Sequence, residues 1–145
     1  MMNLLQIKTV RYQAAKDAIR QIRTKVFQEE QGVAEELEFD GWDETVVHLL
    51  ACLEEKAIGT ARIREIDADT FKIERLAVLP EYRKQGVGKQ LMETAIKTIS
   101  QSQASLVVVH AQAYITQLYL QLGFEIVGDR FDEAGISHVK MMKQL

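Results

Sequence analysis

The chain has 145 residues, of which 47% are hydrophobic and 27% charged, and its formal net charge is −3. That size and composition fit one domain over residues 1–145 with an adequate core, and the weak negative charge argues against a nucleic-acid partner. With a single cysteine, no recognisable signal peptide and no apolar run long enough to cross a bilayer, we expect a cytoplasmic protein without a membrane partner.

The first half of the chain predicts a strand, a helix, a loop and a hairpin. Strand 4–10 precedes a helix that starts near Tyr12, with apolar residues at helical spacing up to Val26. The acidic stretch 35–44 is interpreted as a loop, which is either a solvated connection or a mouth that attracts a cationic substrate. Strands 46–53 and 58–66 are joined by a three-residue turn, which favours antiparallel pairing.

The second half alternates strands with helices. Strand 71–79 ends at Pro80, and a helix with apolar positions from Val87 to Ile99 follows. Strand 105–110 leads into a helix over 112–124 that is capped by Gly123, and strands are expected at Phe124 and over 137–142. This order predicts an α/β (α+β mixed) fold, in which helices flank a mixed central sheet.

Several polar residues in these strands also have simple structural interpretations. His48 in an apolar strand is more typical of a core histidine than of a catalytic one, and Cys52 fits a small buried residue. Arg62 and Arg64 share one strand face, which could be an ordinary solvent-facing side. The histidines lack spaced cysteine partners and therefore predict no metal site; they are His48, His110 and His138.

The turn between strand 71–79 and the next helix has the composition of a phosphate-binding loop. Helix N-termini carry unpaired N–H groups, so phosphate oxygens are expected on Gln85, Gly86, Val87 and Gly88, with added positive charge from Arg83, Lys84 and Lys89. A Walker loop would need glycine at Arg83 and Ser or Thr at Gln90, and a dinucleotide fingerprint would need a small residue at Leu91. Both are excluded.

Two motifs carry a resemblance to a known family. Arg83-x-x-Gly86-x-Gly88 resembles the acyl-CoA signature of the GNAT superfamily of N-acyltransferases, and Tyr119-x-x-x-Gly123-Phe124 resembles its second signature. Both occur in the expected order, with a strand between them. Further similarity to the ElaA-like branch lies in Val26-Phe27, Glu30-Gln31, Glu38-x-Asp40, Ala111-Gln112 and Gly135-Ile136-x-His138. We therefore expect a GNAT-like fold.

The resemblance implies an acyl-CoA co-substrate, above all acetyl-CoA. Leu76 and Val78 would offer backbone groups to the thioester and the pantetheine arm, which inserts like an extra strand. The loop over residues 85–88 would hold the pyrophosphate, and Gln112 would make a polar contact with the cofactor. Tyr119 would protonate the departing sulfur, although it could also be a packed tyrosine with its hydroxyl in water.

The base and the acceptor contacts are less determined by the sequence. Glu74 is expected on the same strand face as Leu76 and Val78, so it could be the base, or it could simply pair with Arg75 or Arg62. ElaA-like sequences often carry glycine at this position, which leaves His110, His138 or a water held by the acidic stretch as alternatives. The residues expected to contact the acceptor are Glu30, Gln31, Glu38, Asp40, Arg62 and His138.

The expected function is therefore acetyl-CoA-dependent N-acetyl transfer, directly and in a ternary complex, to the primary amine of a small cationic acceptor. The alternative is a non-catalytic regulator that binds acyl-CoA in the same cradle. The acceptor's identity, the preferred acyl chain and the oligomeric state are left open by the sequence.

Overall fold

Eight strands form one mixed sheet in the computed structural model, which describes residues 4–145. The strands are β1 Leu5–Arg11, β2 Val47–Leu53, β3 Lys56–Glu65, β4 Thr70–Val78, β5 Leu106–Gln112, β6 Glu125–Ile126, β7 Phe131–Glu133 and β8 Ile136–Gln144. Their order is β1-β2-β3-β4-β5-β8-β6, and β7 pairs with β8. Only β4 and β5 run parallel among the described pairs. The expected mixed sheet is confirmed.

Helices cover both faces of this sheet. They are α1 Tyr12–Arg23, a π-helical segment Thr24–Glu30, α2 Glu35–Glu38, α3 Val87–Ser100 and α4 Thr116–Gln121. Ile19 and Ile22 of α1 pack with Leu50 and Ala77, whereas α3 buries its apolar stripe on the opposite face. Within residues 4–145, no helix combines the length and the apolar character that a bilayer span requires.

Several boundaries differ from the sequence predictions. The acidic stretch is not a continuous loop, because it contains α2 and the 3₁₀ turn Asp43–Thr45. The helix expected over 112–124 is shorter, since β5 continues to Gln112 and a 3₁₀ turn, Ala113–Ile115, precedes α4. Strand β7 was not predicted at all. The interpretations of His48 and Cys52 as buried residues are confirmed.

The sheet opens between β4 and β5. These strands pair only from Thr70 to Lys72 on β4 and from Leu106 to Val108 on β5, and beyond this no pairing joins them among the described residues. Backbone groups on the facing edges are therefore left without a ladder partner. The result is a cleft in the middle of an otherwise continuous sheet.

A β-bulge in β4 lies at the same place. The register with β3 passes from Arg62↔Glu74 to Thr60↔Ala77, so β4 carries one extra residue, and Arg75 has a left-handed φ of 55°. The bulge reverses the alternation of side chains along β4. Leu76 and Val78 pack against the core on the α3 side, whereas Ala77 packs on the α1 side. The expectation that Glu74 shares their face is wrong for this reason.

Buried ion pairs fasten the acidic stretch to the sheet. Arg23 of α1 donates from Nε to Glu38 at 2.6 Å and from a terminal nitrogen to Asp43 at 2.7 Å. Arg62 binds Asp40 and Asp43 at 2.9 and 3.0 Å and lies 3.1 Å from Glu74. We call these residues, together with Arg75, the arginine network. Arg62 is fully buried, so the interpretation of it as a solvent-facing residue is wrong.

The burial of the network predicts a large cost for breaking it. Replacing Glu38 with Gln removes one of the two carboxylates that compensate Arg23, and the side chains of Arg23 and Glu38 are both 1% exposed. We expect Glu38→Gln to lower the free energy of unfolding by about 3 kcal/mol, because Arg23 then shares Asp43 with Arg62 and buried positive charge is left in excess. Urea denaturation measures this loss, with the exposed Glu36→Gln as the matched control. Equal unfolding midpoints for the two variants would contradict the account.

Candidate active site

The opening between β4 and β5 forms a cleft of about 990 Å³. Its walls come from β4, β5, the start of β8, the π-helical segment and the beginning of α3. Most of the site residues predicted from the sequence line this one cleft. They are Glu30, Gln31, Glu38, Asp40, Glu74, Leu76, Val78, Arg83, Lys84, Gly86, Val87, Gly88, Lys89, His110, Gln112, Tyr119 and His138. Gln85 and Arg62 lie outside the lining.

One end of the cleft is the turn that leads into α3. Gly86 has φ of 84° at the start of α3, and a Cβ there would meet no atom within 4 Å. The first turn of α3 has no side-chain cap, so its N–H groups are available to an anion. The side-chain amide of Gln85, which was expected at the phosphate, donates to the backbone oxygen of Glu81. The turn therefore fits a phosphate group that approaches the backbone closely.

Side-chain pairs connect the π-helical segment to the rest of the cleft. Arg83 donates to both carboxylate oxygens of Glu30, at 2.5 and 2.9 Å, and to the backbone oxygen of Val78 at 3.0 Å. Gln31 and Gln112 exchange amide hydrogen bonds of 3.3 and 2.9 Å. Four predicted site residues are thus brought together in two pairs, and the guanidinium of Arg83 is already engaged.

Tyr119 of α4 lies deep in the cleft. Its side chain is largely buried, and its ring packs edge-on against Phe124 at a centroid distance of 5.8 Å. Burial raises the pKa of Tyr119 above its usual range, and repulsion from the negative charge of an ionised Tyr114 raises it further. The phenol is therefore protonated at neutral pH.

Glu74 is held by three cations. Arg64 donates to its carboxylate at 2.6 Å, while Arg62 and Lys72 lie 3.1 and 3.5 Å away. Burial alone would raise the pKa of Glu74, but the bond from Arg64 and the charges of Arg62 and Lys72 outweigh it and lower the pKa. A carboxylate stabilised in this way accepts a proton poorly, which weighs against Glu74 as the base.

A second group of titratable residues lies on the β5 and β8 side. His110 Nδ1 is 3.0 Å from Glu133 Oε1, and His138 Nε2 is 3.8 Å from Glu133 Oε2. Glu133 belongs to β7 and Lys72 to β4, and both side chains line the cleft. Sequence reasoning missed both residues. The available signals were the place of Lys72 two residues before Glu74, and that of Glu133 just before the Gly135-Ile136-x-His138 motif.

The acidic stretch does not present a row of free carboxylates. Glu38 is buried against Arg23, and Asp40 binds Arg62 and Arg75. Burial would raise the pKa of Asp40, but the hydrogen bond and charge of Arg62 lower it well below its usual range. Neither Glu38 nor Arg62 exposes its charge to the cleft, which corrects the expectation that both contact an acceptor.

The comparisons with known proteins agree with this geometry. Residues 8–145 match the family model described as "Acetyltransferase (GNAT) domain". The Bacillus subtilis (strain 168) protein YyaT is 35% identical over 144 residues, with 97% of each chain covered. ElaA of Escherichia coli (strain K12) is 31% identical over 133 residues, which cover 88% of this chain and 86% of ElaA.

Solved structures extend the comparison. The crystal structure of Escherichia coli ElaA superposes with a TM-score of 0.85 and covers 97% of this chain and 99% of that one. An acyl-CoA N-acyltransferase from Pseudomonas aeruginosa superposes with a TM-score of 0.84 at 26% identity, covering 95% of this chain and 99% of its own. The overall fold is therefore common to this chain and these two proteins.

Proposed function

The chain belongs to the GNAT acetyltransferase family, and on that premise we propose that it transfers an acetyl group from acetyl-CoA to a primary amine in a ternary complex. The observation that carries this proposal is the cleft itself. One opening in the sheet combines an uncapped α3 N-terminus, an unpaired strand edge and a buried tyrosine, which are the parts needed to hold and cleave a thioester.

The residues present fit acyl-CoA. The parted edge of β4 offers unpaired backbone groups to the amide-containing pantetheine arm, as a sheet edge does to an added strand. Gly86 and Gly88 let the pyrophosphate approach the amides of α3, while Lys84 and Lys89 supply positive charge. The pair formed by Arg83 and Glu30 would rearrange if Arg83 also contacted the phosphates.

The chemistry needs few groups. The amine attacks the thioester carbonyl, a tetrahedral oxyanion forms, and the carbon–sulfur bond breaks to release a thiolate. Backbone N–H groups near Leu76 are candidates to stabilise the oxyanion, because they lie on the unpaired edge beside the bulge. The protonated phenol of Tyr119 donates a hydrogen bond to the developing thiolate and then its proton.

The acceptor is defined less finely than the reaction. A cationic acceptor stays a prediction, and internal pairing of Glu38 and Asp40 removes two carboxylates on which it depended. The cytoplasmic location also stays a prediction. The competing function, a non-catalytic acyl-CoA-binding regulator, would use the cradle at Gly86 but would have no need for a protonated phenol in the cleft.

A thiol-release screen tests the proposed reaction. Acetyl-CoA is incubated with polyamines, amino acids, aminoglycosides or peptides, so that cationic and zwitterionic amines are both represented. Amine-dependent release of CoA, with acetylated product detected by mass spectrometry, is the expected result. Tight acetyl-CoA binding with no release across the whole panel would contradict the enzyme and favour the regulator.

The loop at Gly86 generates a binding prediction. Gly86→Val places a branched side chain in the phosphate path and forces a valine into left-handed backbone geometry, so CoA affinity is expected to fall by about 10-fold or more. Affinity for pantetheine, which has no phosphate, is expected to change little. Isothermal titration calorimetry with both ligands measures the difference.

Gly128→Val is the matched control for that measurement. Gly128 has φ of 89° and equally open space, but it does not line the cleft. It therefore carries the same backbone penalty without the phosphate clash. If Gly86→Val lost the same affinity for CoA as for pantetheine, the loop would not bind the pyrophosphate. The same conclusion would follow if Gly128→Val lost as much CoA affinity as Gly86→Val.

Tyr119 generates a kinetic prediction. Tyr119→Phe keeps the ring packed against Phe124 and removes only the hydroxyl, so acetyl-CoA affinity and thermal stability should hardly change. Turnover under saturating substrates is expected to fall by about 100-fold or more, because the thiolate loses its proton donor. Stopped-flow measurement of the acetyl-transfer step separates this loss from slow product release.

Tyr12→Phe serves as the control, because Tyr12 is equally buried but lies outside the cleft lining. Its turnover should stay close to that of the wild type. A transfer rate for Tyr119→Phe within about twofold of the wild type would rule out Tyr119 as the acid, and water would then have to protonate the sulfur.

A further inference from the structure

The proposed reaction requires a base, which the phosphate-binding turn and the protonated Tyr119 do not supply. A primary amine is mostly protonated at neutral pH, since an unperturbed lysine has a pKa of about 10.4, and an ammonium cannot attack a carbonyl. Some group must therefore take a proton before or during attack. Glu74 is poorly suited, because Arg62, Arg64 and Lys72 all stabilise its charged form.

His110 stands on the opposite wall of the opening. Val108, the last β5 residue that pairs with β4, is the strand partner of Lys72. His110 lies two residues further along β5, so its side chain projects from the same face of the sheet as Lys72, at the point where the strands part. The side chain is 27% exposed and lines the cleft. Both an acceptor amine and outgoing solvent can therefore reach it.

The contact with Glu133 decides which ring nitrogen of His110 is free. Nδ1 lies 3.0 Å from a Glu133 carboxylate oxygen, which can only accept a hydrogen bond, so Nδ1 carries the hydrogen. In the neutral ring Nε2 then has a free lone pair. The hydrogen bond from His110, opposed by partial burial, lowers the pKa of Glu133, and the carboxylate stays charged beside the ring.

Local packing holds the two side chains in place. Glu133 ends β7, and a two-residue turn with φ of 53° at Ala134 and 80° at Gly135 returns the chain into β8. Phe131 of β7 packs edge-on against His110 at 5.1 Å between ring centroids. The hairpin thus fixes both the distance and the orientation of the pair.

We propose that His110 is the general base of the acetyl transfer and that Glu133 is its positioning residue. The proposal rests on the N-acetyltransferase function above. His110 Nε2 takes one proton from the acceptor ammonium, and the freed electron pair attacks the carbonyl. The nitrogen loses a second proton as the carbon–sulfur bond breaks. This second proton travels through water to Tyr119, which has given its own proton to sulfur. The proton on His110 passes to solvent. Glu133 stabilises the imidazolium between these steps.

Other charged or titratable groups also face His110. Lys72 lies on β4, and β8 contributes His138 and Lys140, the second of which is the strand partner of His110. His138 is the competing base. However, its Nδ1 donates to the backbone oxygen of Ile136 at 2.7 Å, and its side chain is 7% exposed, so an amine reaches it less easily.

Three isosteric variants separate these roles. His110→Asn keeps an N–H donor near the position of Nδ1 and removes Nε2, and Glu133→Gln keeps an acceptor but removes the charge. His138→Asn keeps the donor to Ile136 and tests the competing base. Acetylation is followed from pH 5 to 10 with acetyl-CoA and whichever of spermidine, L-lysine, kanamycin or triglycine gives the fastest thiol release.

We expect His110→Asn to lower kcat/KM about 100-fold or more at pH 7, with the deficit shrinking at high pH where the amine deprotonates by itself. Glu133→Gln should lower kcat/KM about 10-fold at pH 7, because the imidazolium that forms on His110 loses its carboxylate partner. A purely structural role for Glu133 would lower the rate without changing which ring nitrogen of His110 carries the hydrogen. His138→Asn should lower kcat/KM less than His110→Asn at pH 7, with no deficit that shrinks at high pH.

A wild-type pH profile in His110→Asn, or a deficit that shrinks at high pH in His138→Asn alone, would overturn the proposal. Nitrogen-15 NMR of the histidine rings tests the pair without turnover. The expected state of His110 has hydrogen on Nδ1 and a bare Nε2, with that preference weakened in Glu133→Gln. Hydrogen on Nε2 in the wild type would overturn the pair. If no amine is acetylated while the NMR result holds, the acetyltransferase function fails and the base assignment fails with it, whereas the histidine–carboxylate pair stands.

Discussion

The separation of β4 from β5 is the constraint on which the rest of the site depends. A parted sheet leaves backbone groups without ladder partners, which is costly unless water or a ligand satisfies them. The bulge at Arg75 turns β4 at this point, and a left-handed non-glycine residue costs about 1–3 kcal/mol. Arg75 is held in that conformation by the backbone oxygens of Leu37 and Glu38 and by Asp40. These contacts stabilise the bulge, and with it the separation of β4 from β5, without a bound ligand.

The arginine network links that opening to the electrostatics of the cleft. Arg23 and Arg62 hold three carboxylates of the acidic stretch, and Glu74 is shared among three cations. Glu38, Asp40 and Glu74, which were expected to attract the amine or take its proton, are thus committed to ion pairs. The chemistry then depends on the other wall of the cleft, where Tyr119 keeps its proton and His110 is paired with Glu133. This division explains why the two walls have different roles.

The sequence predicted the parts that follow from local pattern. The strand, glycine turn and helix around Gly86, the hairpin of β2 and β3 and the helical position of Tyr119 all depend on residues close together in the chain. The arginine network could not be read in this way, because Arg23 lies 15 residues from Glu38 and its partners resemble a solvated face. The bulge was not predicted, because an arginine, like other non-glycine residues, rarely adopts a positive φ, as Arg75 does here. The turn at Ala134 lacked the usual Asn-Gly or Asp-Gly signal, so β7 and Glu133 were missed.

Amide hydrogen exchange tests most directly whether the parted strands hold the co-substrate. The account predicts that saturating acetyl-CoA slows exchange in residues 73–78 of β4 and 86–89 at the start of α3, because ligand atoms replace solvent at these amides. Exchange in β1, which is remote from the cleft, should stay unchanged. Saturable binding of acetyl-CoA with unaltered exchange in both segments and new protection elsewhere would show that the ligand occupies a different site.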